Sequence, residues 1–129
     1  MVKQGNIHSD FVVMSPDKNA TIEPGDAGLY QRLDENYASF AGHDLIACHE
    51  FQEDWPSWEI HPRGDELVVL LAGEARFVLQ IGDVLAEIQL AESGSYVIVP
   101  KNTWHTAKID KSAKMLFITP GEGTQNRDI

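Results

Sequence analysis

Glu59-Ile60-His61-Pro62-Arg63-Gly64-Asp65-Glu66 is followed after six residues by Gly73, and Gly94 is followed after five residues by Pro100-Lys101-Asn102-Thr103-Trp104-His105. Each stretch joins a turn to an apolar, strand-like run. Together they bring two imidazoles and two carboxylates, the donor types that hold Fe, Mn, Ni or Zn. Glu59 and His61 are two apart, so on a strand their side chains leave from one face, with Trp58 and Ile60 on the other. Gly64-Asp65 permits a bend that returns Glu66 to the same side. His105 opens a strand whose same-face neighbours are Ala107 and Ile109, while Thr106 and Lys108 face water. A histidine aimed into an apolar interior needs partners for its ring nitrogens.

Working outward, the pattern from Asp44 onward is short strands and tight turns. Candidate strands are Asp44–Phe51, Trp58–His61, Leu67–Leu71, Ala75–Ile81, Val84–Leu90, Ser95–Val99, His105–Ile109 and Lys114–Thr119. Ala75, Phe77, Leu79 and Ile81 alternate with Arg76 and Gln80. Ala86, Ile88 and Leu90 alternate with Glu87 and Gln89. Regular short strands without long helices predict an all-β sandwich or barrel. Upstream, Phe11–Met14 and Ala20–Ile22 are further strand candidates. Leu29, Leu33 and Tyr37 recur every fourth residue, which predicts a short helix with Asp26 capping its start. Residues 1–10 are unpatterned. The glycine-bearing tail from Gly121 to Arg127 lacks the Lys-Ser/Thr pair of a phosphate loop and reads as a terminal loop.

The two stretches resemble the motifs of the cupin family: His-x-His, then Glu, then Gly in the first, and Gly, Pro-x-Gly, His and Asn in the second. The spacing agrees from Glu59 to His105. Glu59 stands for the family's first His, Asn102 for its internal Gly and Ile109 for its closing Asn, and Glu53 occupies the place of a leading Gly. The resemblance covers Ala41 to Pro120. It implies a cupin-type jelly-roll β-barrel at residues 41–120, a short N-terminal arm at 1–40 packing on it, and a C-terminal tail at 121–129. It also implies that His61, Glu66 and His105 meet at one divalent transition metal (Fe, Mn, Ni or Zn). Two His and one carboxylate leave coordination positions open for substrate and dioxygen.

Glu59 has three readings: a fourth ligand, a catalytic base beside the metal, or a solvated side chain at the barrel mouth. Trp55 and Trp104 are candidates for the wall of a substrate pocket, and equally for barrel caps or a subunit contact. His49 shares a face with Ala47 and Phe51 and reads as a core or edge residue in preference to a pocket one. Cys48 reads as an inert buried thiol.

Composition bounds the function. The chain has 129 residues, one domain's worth, with 43% hydrophobic and 23% charged residues, as in ordinary soluble domains. A net charge of −10 disfavours nucleic acid and anionic membranes as partners. A single cysteine excludes an intramolecular disulfide and suits a reducing, cytoplasmic setting. No apolar run reaches the roughly 20 residues that span a bilayer. No apolar leader opens the chain. The strand candidates of residues 1–25 have no evident neighbour in their own barrel, which predicts a homodimer built on an exposed edge. The expected function is a mononuclear metal enzyme, dioxygenase-like, acting on a small organic acid or aromatic molecule. The alternative is a non-catalytic cupin module that binds a metal or small ligand.

Overall fold

Alternating strands close on themselves in two antiparallel sheets. The computed structural model describes residues 2–129, and Met1 lies outside them. The strands are β1 (Asp10–Met14), β2 (Ala20–Pro24), β3 (Asp44–Phe51), β4 (Ser57–Ile60), β5 (Glu66–Gly73), β6 (Ala75–Ile81), β7 (Val84–Leu90), β8 (Tyr96–Val99), β9 (His105–Lys108), β10 (Ala113–Pro120) and β11 (Gln125–Asp128). One sheet runs β2-β1-β3-β10-β5-β8 and the other β11-β4-β9-β6-β7. This is the jelly-roll arrangement that the strand spacing predicts. All eight strand candidates after Asp44 form, with ends shifted by a residue or two.

The inward faces of both sheets make one core. Val68, Leu70, Phe77, Ala107 and Met115 have no measurable exposure or nearly none. Each large apolar side chain buried this way contributes about 1.5–3 kcal/mol. Two turns show why glycine stands where it does. Gly82 has φ +61° at the first central position of the β6–β7 hairpin, as a II′ turn requires. Gly73 has φ +81°, and a Cβ there would overlap the Ser112 carbonyl.

Four expectations are corrected here. First, the tail is not a loop: β11 pairs with β4, placing Gln125 opposite Ile60 and Asn126 opposite Glu59. Second, the N-terminal strands do not lack neighbours. β1 pairs with β2 on one side and with β3 on the other, Val12 lying opposite Ile46. The argument for a homodimer from unpaired N-terminal strands therefore falls. Third, Thr106 does not face water. It is buried, and its hydroxyl donates at 3.0 Å to the Ser57 carbonyl of β4, the strand beside β9 in the sheet. Fourth, Asp26 does not cap the helix.

That helix, α1, spans Leu29–Asn36 and has no side-chain cap. Asp26 accepts instead from the Gly28 amide at 3.0 Å and from Arg32 at 2.6 Å. A helix this short has no stability of its own. It is held by burial of Leu29 and Leu33 against Val13 and Phe40. A polar network adds to this: Glu23 accepts from Arg32 at 2.9 Å and from the Tyr37 hydroxyl at 2.6 Å. The chain then turns through Ala38, Ser39 and Phe40, with φ of 52°, 52° and 63°. Left-handed backbone costs roughly 1–2 kcal/mol per non-glycine residue. Burial of the Phe40 ring offsets part of it.

Candidate metal centre

Three strands and the turns beside them deliver the site. β4 runs into His61, β5 begins with Glu66, and β9 begins with His105, which lies opposite Glu59 on one side and Leu79 on the other. The two sequence stretches are tied directly. The Asn102 amide donates to the His61 carbonyl at 3.0 Å, and the Lys101 amide donates to Asp65 at 2.7 Å. Asn102 has φ +60°. Asparagine tolerates the left-handed region better than most residues, which explains how it serves where the family pattern has glycine.

His61, Glu66 and His105 converge. One donor atom from each lies within 4.8 Å of the other two. His105 Nε2 is 3.1 Å from Glu66 Oε1, and His61 Nε2 is 3.3 Å from Glu66 Oε2. All three residues are buried, His105 completely. The other ring nitrogens are engaged. His105 Nδ1–H donates to the Thr103 carbonyl at 3.0 Å. Thr124 donates its hydroxyl proton to the Gly121 carbonyl, so its oxygen accepts from His61 Nδ1–H at 2.8 Å. Both rings thereby turn Nε2 toward Glu66. Thr119 donates to Glu66 Oε2 at 2.6 Å and holds the carboxylate in place.

The donor set fits a divalent transition metal. His61 Nε2, His105 Nε2 and Glu66 Oε1 are buried without any hydrogen-bond partner. Buried polar atoms are otherwise nearly always satisfied. Three unsatisfied lone-pair donors facing one another are explained by a cation shared among them. Donors about 2.1 Å from one ion and at right angles around it stand about 3 Å apart, close to the spacings seen. Fixing Nδ1–H by an outer acceptor is how ligating imidazoles are oriented.

The charges are strongly coupled. Burial pushes the Glu66 carboxyl up, but the imidazoles of His105 and His61 outweigh this and hold it at about 2. Burial pushes the His105 imidazolium down, but Glu66 beside it outweighs this and raises it. Glu59 is raised, first by burial and then by the negative charge of Glu66, with His61 and His105 opposing. Glu59 is not in the ligand cluster. It lines the cavity beside it, on the same side as His61.

That cavity has a volume of about 1040 Å³, and His61, Glu66, Glu59 and Trp55 are among its lining residues. Trp55 packs edge-on, its ring centroid 6.1 Å from that of His105. Trp104 does not line the cavity. It faces away from His105 on the outer side of β9, where the Arg127 guanidinium sits 4.6 Å from its ring and 5.5 Å from that of Trp58. Strand parity opposes Trp104 to His105. His49, read as a core or edge residue, does line the cavity, edge-on to Phe117 at 5.7 Å. Cys48 is only half-buried and its thiol is pushed up by burial, so it remains unreactive.

Thr119 and Thr124 were not legible as site residues. Thr119 carried a usable signal: it follows Ala113, Met115 and Phe117 on the inward face of β10 as a polar residue. Thr124 carried none, because its role depends on β11 folding back onto β4.

No protein-family model matches the chain, and no curated protein sequence matches it. Solved structures do. An oxalate oxidase superposes with a TM-score of 0.53 at 20% identity, over 63% of this chain and 44% of its own. A cupin-2 domain protein from Shewanella frigidimarina superposes with a TM-score of 0.50 at 19% identity, over 60% and 70%. Oxalate decarboxylase from Bacillus subtilis, described with Mn(II) centres, superposes with a TM-score of 0.52 at 17% identity, over 67% and 23%. The matched region thus spans less than half of the two oxalate enzymes. Identities this low speak for the fold alone. Two antiparallel sheets in jelly-roll order, met by these neighbours, establish that the chain has the cupin fold.

Proposed function

We propose that this chain is a mononuclear metal cupin in which His61, Glu66 and His105 hold one divalent transition metal. The observation carrying this reading is the trio of buried donor atoms with no other partner, of which His61 and Glu66 line a large cavity. Three protein ligands leave positions open to a substrate, as catalytic sites do and closed structural sites do not. A metal bound there supplies Lewis-acid or redox chemistry at those positions. The reading favoured for the activity is dioxygenase-like, on a small organic or aromatic molecule.

The chain's own residues have definable roles in it. Thr124 and the Thr103 carbonyl hold the imidazoles with Nε2 inward. Thr119 keeps Glu66 from rotating. Glu59, raised by burial and by Glu66, is suited to take a proton from a bound substrate and hold it on its carboxylate. Trp55 and Phe117 keep water from that wall. A non-catalytic module that binds a metal or small ligand would use the same trio but has no need of Glu59 as a base.

The test is metal analysis of protein purified without chelators, alongside His105→Ala. One transition metal per chain, lost in the variant, supports the centre. Absence of metal after loading with Fe, Mn, Ni and Zn in turn ends it. Dioxygen uptake by iron-loaded protein, reduced in Glu59→Gln, separates the enzyme from the binding module. A cytoplasmic location and pairing of two copies complete the proposal. The pairing now rests on the exposed Tyr96 and Ile98 of the edge strand β8, and light scattering at the monomer mass would refute it.

A further inference from the structure

The cavity is lined by six carboxylates, those of Asp34, Glu50, Glu53, Asp54, Glu59 and Glu66, and among the described residues no Lys or Arg lines it. Of these, Asp54 has Lys108 at 3.9 Å, and Glu50 has Lys114 opposite it across the β3–β10 pair. Away from the histidines and any metal they hold, an anionic ligand would therefore enter against like charge. The body of the cavity is aromatic. Phe51, Trp55 and Phe117 pack against one another with centroids 5.5–6.1 Å apart and share the lining with the carboxylates. Aromatic faces beside a carboxylate are the surroundings in which an ammonium group is held. In the metal-free protein the wall also carries an unmet acceptor: Glu66 Oε1 is buried without a hydrogen-bond partner.

We infer that the cavity takes a small organic cation, its ammonium group against Glu59 and its apolar or aromatic body against Phe51, Trp55 and Phe117. This replaces the organic acid among the expected substrates. It deepens the proposed function by naming a substrate class, and it rests on that reading for the chemistry after binding, though not for binding itself. The carboxylates at the rim add a second effect. They raise the local concentration of cations and slow the entry of anions.

The experiment is calorimetric titration with three probes of one shape and three charges: phenethylamine, phenethyl alcohol and phenylacetate. It is run on metal-free protein and on zinc-loaded protein, with metal content measured separately. The expected result is that phenethylamine binds at least about tenfold more tightly than phenylacetate to the metal-free protein, and that the gap narrows on zinc-loaded protein, where a carboxylate can reach the ion. In Glu59→Gln the gap should shrink to about threefold or less. Phenylacetate binding the metal-free protein as well as phenethylamine, no binding of phenethylamine, or a gap unchanged in the variant would each overturn the proposal. The charge series on the unsubstituted protein keeps the class falsifiable should the variant not fold. Failure to load zinc, with the charge preference intact in the metal-free protein, would sink the metal centre and leave this inference standing.

Discussion

Metal binding should expel a proton from the site. His61 and His105 both spend Nδ1–H on fixed acceptors, so a metal must take Nε2 of each ring. In the metal-free protein His105 Nε2 lies 3.1 Å from Glu66, and that neighbour raises the imidazolium above its ordinary 6.5. Below the raised value the ring is protonated and must lose the proton before it can ligate. Each pH unit below it then lowers apparent affinity about tenfold, or about 1.4 kcal/mol. The assay is isothermal calorimetry at about pH 5 in two buffers of different ionisation heat. The heat difference should report about one proton released per metal. Affinity that is flat with pH, with no buffer-dependent heat, would refute the assignment of His105 as a proton-competed ligand.

Three further outcomes are expected from the same geometry. The metal-free protein should be most stable, as far as this site contributes, between about pH 4.5 and about pH 6.5. Glu66, depressed from 4.5 to about 2, contributes on the order of 3 kcal/mol above 4.5, lost as pH falls through about 2. His105, raised, contributes below 6.5 and loses that contribution as pH rises through its folded value. Scanning calorimetry against pH should show this window, and Glu66→Gln should flatten it; a window untouched by the variant would contradict the account. Thr124→Ala should weaken metal binding about 10- to 100-fold without touching the metal, because His61 loses the acceptor that fixes its ring. Unchanged affinity by calorimetry would show that the ring is held by packing alone. Gly73→Ala should cost more than about 2 kcal/mol in urea unfolding, since it combines a left-handed backbone with overlap on Ser112. A smaller shift would mean that the β5–β6 corner yields easily.

The sequence by itself determined the strands, their inward faces and the candidate ligands. Period-two alternation in β6 and β7 needs no knowledge of neighbours, because a strand's pleat alone sends alternate side chains to opposite sides. The same parity put Glu59 with His61 and opposed Trp104 to His105, and carried one residue further it would have removed Trp104 from the pocket. The ligand pattern was legible because the turns that carry it are local: Gly64-Asp65 and Lys101-Asn102 set the side chains beside them. What parity could not decide is what lies on the far side of a strand. Thr106 was placed in water because its partner, the Ser57 carbonyl of β4, comes from far earlier in the chain. The same is true of Thr124, which reaches His61 only through the pairing of β11 with β4. His49 and Trp55 met the cavity through packing of elements distant in the chain. The stretch from Glu50 to Glu66 supplies five of its six carboxylates. That these face one cavity beside Asp34, with no Lys or Arg among the described residues of its lining, was decided only by the tertiary structure, because a cavity's charge depends on every element that walls it.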